Sequence, residues 1–150
     1  MKTYKYGYDY PMPSITCDVL VFRKCPDSLE EFEVLLIKRK NEPFKDLWAM
    51  PGGFMDIDET TIQCAIRELN EETNIIVNEN DVRFIKILDD VDRDPRGRVL
   101  SHVFCTYVKE NIIAKASDDA KELKWFKFNE IPLMAFDHKD VVEKYFPKIR

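Results

Sequence analysis

The order of apolar and polar positions along the chain predicts a series of strands and two helices. Residues 15–22 (ITCDVLVF) and 33–39 (EVLLIKR) are rich in β-branched and aliphatic side chains, which favour strands. A Pro-Asp-Ser sequence at 26–28 predicts a turn between them. Further strands are expected at 48–50, 82–89, 98–108 and 124–128. The first of these should end at the Pro-Gly-Gly sequence 51–53, where backbone freedom is high.

The segment that follows Thr60 predicts an amphipathic helix. Thr60 and Gln63 have the spacing of a capping box, with Thr60 as the N-cap and Gln63 at the third helical position. Apolar residues recur at i, i+3, i+4 and i+7 and define a buried face: Ile62, Ala65, Ile66 and Leu69. Asn74 follows, and asparagine tolerates the left-handed conformation that often ends a helix. A second helix is expected at 137–145.

Strands that alternate with two helices predict an α/β fold in which helices cover a mixed sheet. The 150 residues contain no internal repeat, no low-complexity tract and no Gly/Ser-rich linker. We therefore expect a single domain that spans residues 1–150. The pattern leaves the order of the strands in the sheet open.

The composition is that of an ordinary soluble globular protein, with 45% hydrophobic and 34% charged residues. No apolar run approaches the roughly 18 residues of a membrane span, and no apolar core follows the first lysines as in a secretory signal. Cytoplasm is therefore the expected location. The cysteines form no C-x-x-C pair and are expected to be free thiols: Cys17, Cys25, Cys64 and Cys105.

The formal net charge of −5 argues against a nucleic-acid-binding protein, which normally carries a strong basic excess. Two local basic clusters remain candidates for phosphate contacts. One is Lys38-Arg39-Lys40, and the other comprises Arg93, Arg96 and Arg98. Each cluster is equally compatible with a solvated surface.

Three carboxylates lie close together on the predicted first helix. Glu68, Glu71 and Glu72 stand at i, i+3 and i+4, so they project within about a 100° arc of one face. Like charges at this spacing repel, and a cation reverses that cost. Carboxylate oxygens suit the hard ions Mg²⁺ and Mn²⁺. The alternative is a solvated acidic face without a ligand.

These carboxylates belong to a longer pattern of fixed residues. The pattern runs Gly53-x5-Glu59-x7-Arg67-Glu68-Leu69-x-Glu71-Glu72-x-Asn74-Ile75. With average residue usage, about one random chain in a million would contain it. It resembles the Nudix box, G-x5-E-x7-R-E-U-x-E-E-x-G-U with U aliphatic, except that Asn74 replaces the last glycine. The preceding Pro51-Gly52 also fits that family.

The resemblance implies an α/β/α sandwich with a catalytic loop–helix–loop that hydrolyses a nucleoside diphosphate linked to another group. It also implies a divalent ion, commonly Mg²⁺, with Mn²⁺ as a further candidate. The implied ligands are the Gly52 carbonyl and the carboxylates of Glu68, Glu71 and Glu72. Arg67 would orient the carboxylates through charge-assisted hydrogen bonds. Glu59 would support the metal site by contacting Arg67 or a water on the metal.

The general base of the implied reaction is open. Nudix enzymes take it either from the box, here Glu68 or Glu71, or from a later loop. In this chain Asp118-Asp119 precedes the predicted strand around Trp125, and Asp119 is the preferred candidate of the two. The alternative role for Asp119 is that of a loop acid that caps a turn.

Segments outside the box are similar to the ADP-ribose pyrophosphatase-like branch of the family: 13–18, 38–45, 93–98 and 135–138. That branch includes Nudix domains of transcriptional regulators that sense ADP-ribose and carry a further DNA-binding region. This chain ends at Arg150, so no such region is expected. Hydrolysis of ADP-ribose to AMP and ribose 5-phosphate is the leading hypothesis. The alternatives are clearance of oxidised or non-standard nucleoside triphosphates, and a non-catalytic sensor of ADP-ribose.

Candidate substrate contacts follow from the same resemblance. Arg93, Arg96 and Arg98 would pair with phosphate or ribose, since a guanidinium binds phosphate bidentately. Phe44 would stack on the base, as would Trp48 or Phe136, although core packing is the stronger alternative for each ring. His138 would hydrogen-bond substrate or cap the last helix. Several related enzymes dimerise, and the arm 5–13 is a candidate dimer contact.

Overall fold

The computed structural model describes residues 4–117 and 120–147. Its strands are β1 (Ser14–Cys25), β2 (Ser28–Arg39), β3 (Trp48–Ala49), β4 (Gly52–Phe54), β5 (Val82–Leu88), β6 (Val99–Tyr107) and β7 (Ala120–Lys127). Its helices are α1 (Thr61–Thr73) and α2 (His138–Tyr145), with short 3₁₀ turns at Glu79–Asp81 and Phe128–Glu130. The predicted strands and both predicted helices are confirmed, with ends that differ by a few residues.

The strands form one mixed sheet of seven strands in the order β3-β2-β1-β6-β5. β1 runs parallel to β6 and antiparallel to β2, and β5 runs antiparallel to β6. Two strands lie off this path, because β4 pairs with β1 and β7 pairs with β2. β1 is therefore central, and eight of its twelve residues are buried.

The two helices cover opposite faces of the sheet, which follows from the alternation of side chains along β1. Leu20 and Phe22 point into a core cluster that contains Val141 and Val142 of α2. Val19 and Val21 point into the other cluster, which contains buried residues of α1: Cys64, Ala65 and Leu69. The chain thus forms the α/β/α sandwich that the sequence predicts.

The Pro-Gly-Gly segment differs from its prediction. Instead of only ending a strand, its glycines open β4, where Gly52 pairs with Asp18 and Gly53 with Cys17. The approach is so close that a Cβ on Gly52 would collide with the Asp18 carboxylate and the Cys17 carbonyl. Pairing with β1 therefore requires glycine at this position.

The remaining expectations concern cysteines and membranes. All four cysteines are free thiols, as expected. Within residues 4–117 and 120–147, no helix is long and apolar enough to cross a membrane.

Candidate active site

Helix α1 begins and ends where the sequence predicts. The Gln63 N–H donates to the Thr60 hydroxyl at 3.2 Å, and the Thr60 N–H donates to the Gln63 side chain at 2.9 Å. Asn74 has φ 60° and ψ 13°, and its N–H donates to the Asn70 carbonyl. The carboxylates that follow Arg67 are thus held on a helix whose two ends are capped.

Arg67 is the centre of the polar face of α1. It donates from Nε and Nη2 to the two carboxylate oxygens of Glu59, at 2.9 and 2.6 Å. Its Nη1 donates to Glu68 at 2.8 Å and to Glu71 at 3.1 Å. Nη2 also reaches the Phe54 carbonyl at 3.0 Å. One guanidinium therefore ties the preceding loop, β4 and two helix carboxylates together.

The ion pairs shift the pKa values of these groups in different directions. Hydrogen bonding to Arg67 lowers the pKa of Glu59 to about 2. The same hydrogen bonds raise the pKa of Arg67 above its ordinary value. Burial raises the pKa of Glu68, because its cost to the charged form exceeds the stabilisation by Arg67. Glu68 is therefore a carboxylate that gains from a nearby cation.

Glu72 and Glu68 face the two glycines of β4. The Glu72 carboxylate is buried and accepts a hydrogen bond from the Gly52 N–H at 3.0 Å. A side chain at Gly53 would collide with the Glu68 carboxylate. The backbone of the two glycines thus lies directly against the helix carboxylates.

The chemistry of these donors fits a hard divalent cation such as Mg²⁺ or Mn²⁺, which prefers carboxylate and carbonyl oxygens. In the part of the chain that the structure describes, no group of three or more His, Cys, Asp or Glu side chains has the arrangement of a metal cluster. The carboxylates of Glu68 and Glu71 instead accept hydrogen bonds from Arg67.

The carboxylate surface opens into a cavity of about 390 Å³. Gly52, Gly53, Glu68 and Glu72 line it together with four arginines: Arg39, Arg67, Arg93 and Arg96. Further lining residues are Asp18, Phe54, Phe136 and His138. Acidic groups that suit a metal and basic groups that suit phosphate therefore share one cavity.

The three lining arginines other than Arg67 are each held by a different partner. The Arg93 side chain is almost fully buried and forms a bidentate pair with Asp137, at 2.9 and 2.8 Å. Arg96 forms a bidentate pair with Asp94, at 3.1 and 2.8 Å. Arg39 donates from Nε to the Pro43 carbonyl at 2.8 Å.

Two of the cavity arginines, Arg39 and Arg96, also stack on aromatic rings. The guanidinium carbon of Arg96 lies 4.6 Å from the Phe54 ring centroid and 5.4 Å from that of Phe136. That of Arg39 lies 5.1 Å from the Phe136 centroid, so both arginines contact this ring. Burial and the neighbouring Arg96 lower the pKa of Arg39. An anion in the cavity would relieve this mutual repulsion.

Two acids compensate the positive charge. Burial raises the pKa of Asp94, but its contacts with Arg96 and Arg93 lower this pKa by more. The net result is a pKa below the ordinary value of an aspartate. The same balance, with Arg93 as the partner, lowers the pKa of Asp137. Both remain ionised at neutral pH.

Other predicted site residues lie elsewhere. Arg98 donates to the carbonyls of Asp89 and Asp90, at 2.8 and 3.2 Å, and does not line the cavity. Phe44 packs edge-on against Phe136, with ring centroids 4.8 Å apart, and is also outside the lining. Glu59 and Glu71 contact Arg67 without lining the cavity. Asp118 and Asp119 lie outside the described residues.

Asp18 also lines the cavity, although it belongs to none of the motifs in the sequence that indicate a site. It is 7% exposed, and its carboxylate accepts a hydrogen bond from the Ser101 hydroxyl. A signal was available, because Asp18 is an acid within an otherwise apolar strand sequence. A buried, unexplained charge of this kind indicates a functional position.

Comparison with known proteins identifies the family. The family model described as the NUDIX domain matches residues 18–145. The chain therefore belongs to the Nudix family, and the resemblance found in the sequence is confirmed.

Several individual proteins of known sequence or structure are similar to this chain. The ADP-ribose pyrophosphatase of Methanocaldococcus jannaschii is 43% identical over 113 residues, covering 75% of this chain and 65% of that protein. The ADPR responsive transcriptional repressor NtrR of Acinetobacter baylyi is 29% identical, covering 94% of this chain and 56% of that protein. The crystal structure of a bifunctional NMN adenylyltransferase/ADP ribose pyrophosphatase from Francisella tularensis, complexed with AMP and Mn ion, has a TM-score of 0.76 and 35% identity, covering 90% of this chain and 41% of that one. The chain spans less than two-thirds of each.

Proposed function

We propose that this chain, as a single Nudix domain, hydrolyses ADP-ribose to AMP and ribose 5-phosphate with Mg²⁺, or alternatively Mn²⁺, as cofactor. The observation that carries the proposal is the cavity shared by the carboxylates of Glu68 and Glu72 and the guanidinium groups of Arg39 and Arg96. A diphosphate resists hydrolysis because its charge repels nucleophiles, so its cleavage needs both kinds of group. The similarity to ADP-ribose pyrophosphatases supports the substrate.

In this proposal the Gly52 carbonyl and the carboxylates of Glu68, Glu71 and Glu72 would hold the ion. A divalent ion bound there supplies charge neutralisation and lowers the pKa of an attacking water. Arg67 keeps Glu68 and Glu71 in place, and Glu59 keeps Arg67 in place. A carboxylate accepts the proton of the water, and the candidates are Glu68, Glu71 and Asp119.

On the substrate side, Arg96 and Arg39 would contact the diphosphate, because both line the cavity with Phe136 behind them. Arg93 would act mainly by holding the loop that carries Arg96, since its side chain is only 3% exposed against Asp137, whereas the Arg96 side chain is 35% exposed. We assign supporting roles to Arg98 and Phe44, which lie outside the cavity lining.

A second candidate function is the binding of ADP-ribose as a signal without hydrolysis. Arg67 engages Glu68 and Glu71, and no metal cluster is formed within residues 4–117 and 120–147. One relative is an ADPR responsive transcriptional repressor, so the absence of nucleic-acid binding in this chain stays a prediction.

The test is a hydrolysis panel with Mg²⁺ and Mn²⁺ in which the products are identified. The panel contains ADP-ribose, NADH, diadenosine polyphosphates, nucleotide sugars and nucleoside triphosphates. Preferential formation of AMP and ribose 5-phosphate from ADP-ribose supports the proposal. Pyrophosphate release from a triphosphate would replace it with the triphosphate alternative. Binding of ADP-ribose without turnover would favour the sensor.

Two further proposals concern the setting of the protein. A cytoplasmic location suits four free thiols, because reducing compartments keep cysteines unpaired.

Homodimer formation through the arm 5–13 is supported by its exposed tyrosines, among them Tyr8 at 59% and Tyr10 at 80% exposure. Sedimentation of the chain with and without these tyrosines tests the dimer.

A further inference from the structure

His138 is the first residue of α2, and its imidazole is buried. Its Nδ1 accepts a hydrogen bond from the backbone N–H of Met50 at 3.1 Å. Because Nδ1 accepts, the neutral ring carries its proton on Nε2, which lies 3.9 Å from Asp18 Oδ2. The direct partner of His138 is therefore the chain just before the two glycines of β4.

We propose that His138 is a positioning residue that acts through Met50 to hold the Gly52–Gly53 backbone at the cavity. This inference rests on the proposed function for its catalytic consequence, because Gly52 is a candidate metal ligand there. The alternative role for His138 is a direct hydrogen bond to the substrate, which would be made by Nε2 and not by Nδ1.

The segment from Met50 to Gly52 is held by three separate elements of the fold. The Val19 N–H of β1 donates to the Pro51 carbonyl at 2.8 Å. The Gly52 N–H donates to Glu72 of α1 at 3.0 Å. His138 adds the contact from α2, so helices on both faces of the sheet hold the same few residues.

Asp18 restricts the segment from the side of β1. Its carboxylate lies directly against Gly52, leaving no room for a Cβ there. The Ser101 hydroxyl of β6 donates to Asp18 Oδ2, which fixes the orientation of the carboxylate. Gly52 therefore has a narrow range of positions as long as Met50 stays in place.

Loss of the acceptor at His138 has a definite consequence. Met50 is 2% exposed, so its N–H would lose a partner that water replaces only after the segment opens. The Gly52 backbone would then move relative to Glu72. Metal affinity and turnover would fall together, whereas loss of a substrate contact would mainly raise KM.

Two amide variants separate the positioning role from the substrate contact, because asparagine and glutamine carry the same amide group on side chains that differ by one methylene. In His138→Asn the amide oxygen lies near the position of Nδ1 and keeps an acceptor for Met50. In His138→Gln the amide lies near the position of Nε2 and leaves Met50 without its acceptor. Both amides are neutral and polar, so the pair is matched in chemistry.

The first measurement is hydrogen–deuterium exchange of peptides covering 50–54 in the metal-free protein. The Gln variant should exchange this segment faster than wild type, and the Asn variant should restore most of the protection. The second measurement is Mn²⁺ affinity from the electron paramagnetic resonance signal of free Mn²⁺. The His138→Gln variant should bind Mn²⁺ about tenfold or more weakly than wild type, and the His138→Asn variant should lose clearly less affinity.

The opposite pattern overturns the proposal. Unchanged exchange in the Gln variant, or equal exchange in both variants, would mean that His138 does not hold this segment. A raised KM in Asn with a normal KM in Gln would assign Nε2 to the substrate. Should the Gln variant fail to fold, the Asn variant decides, because protection close to that of wild type supports the proposal and lost protection overturns it.

The failure of this proposal is distinguishable from the failure of the proposed function. Exchange is measured without metal or substrate, so it reports on the Met50–His138 contact even in a protein that hydrolyses nothing. Absence of ADP-ribose turnover in wild type would overturn the proposed function and leave the exchange result valid.

Discussion

Arg67 and Glu59 form a bidentate ion pair in which both carboxylate oxygens accept hydrogen bonds, at 2.9 and 2.6 Å. Their side chains are only 27% and 13% exposed. Because the same guanidinium also reaches Glu68 and Glu71, the pair links the loop before α1 to the carboxylates of the candidate metal site.

Replacing Arg67 by lysine should weaken this linkage while keeping the charge. An ammonium group lacks the planar arrangement of donors that serves Glu59 and Glu68 together. We expect a loss of about 1–3 kcal/mol in the free energy of unfolding, measured by urea titration, and a lower kcat. Arg83→Lys, at an exposed position, is the matched control and should change stability by less than about 0.5 kcal/mol. Equal effects of the two variants would contradict the role of Arg67.

Glu59 should contribute to stability in a defined range of pH. Its pKa is lowered from 4.5 to about 2 in the folded protein, so the folded state favours the carboxylate. The contribution is complete above the unfolded pKa and is lost as pH falls through the folded pKa. The difference in free energy of unfolding between wild type and Glu59→Gln should therefore shrink from pH 4.5 to pH 2. Urea titrations across this range measure it, and a constant difference would argue against the Arg67 contact.

Glu72→Gln and Glu71→Gln test the candidate metal ligands. An amide oxygen at residue 72 can still accept from the Gly52 N–H, so the fold should persist. Loss of a carboxylate ligand should lower turnover by at least the roughly 100-fold that loss of an outer partner can cost. Glu79→Gln, in an exposed turn, serves as the control for removal of an acid. Rates like those of wild type in both ligand variants would refute the metal assignment.

Arg96 and Arg98 should differ in their effect on substrate binding. Arg96 lines the cavity, so Arg96→Ala should raise the KM for ADP-ribose about tenfold or more through the loss of a charge-assisted contact. Arg98 donates to the carbonyls of Asp89 and Asp90, and Arg98→Ala should leave KM near its normal value. A larger effect at Arg98 would place the diphosphate outside this cavity.

Asn74→Gly restores the glycine of the Nudix pattern and should be nearly neutral for activity. Glycine adopts φ 60° without strain, which offsets the lost hydrogen bond from the Asn74 amide to the Lys115 carbonyl. The free energy of unfolding should change by less than about 1 kcal/mol. Steady-state kinetics and thermal unfolding measure both effects. A large loss of activity would assign Asn74 a functional role through Lys115.

Local features of the chain were accessible from the sequence because they depend on neighbouring residues. The capping box of Thr60 and Gln63, the apolar face of α1 and the left-handed Asn74 all follow from helix periodicity and capping chemistry. The contact of Arg67 with Glu71 likewise follows from a spacing of four residues.

Contacts between distant segments were not accessible in this way. Arg93 was a candidate for phosphate or ribose contacts and lines the cavity, but the sequence did not indicate that Asp137, 44 residues later, holds its guanidinium. Phe44 was a candidate for base stacking, yet it packs against Phe136 outside the cavity lining. Asp18 carried a signal as a charge in an apolar strand, but its place beside Gly52 and Ser101 depends on the pairing of β1 with β4 and β6.

The sequence by itself determined the helices, the line of carboxylates on α1 and every strand except β4, since each arises from short-range periodicity and side-chain chemistry. Only the tertiary structure decided which arginines line the cavity and which residues hold Gly52. Those outcomes depend on the order of strands in the sheet and on which face each helix covers. Such long-range packing brings Asp18, Met50, Glu72 and His138 together from four separate parts of the chain.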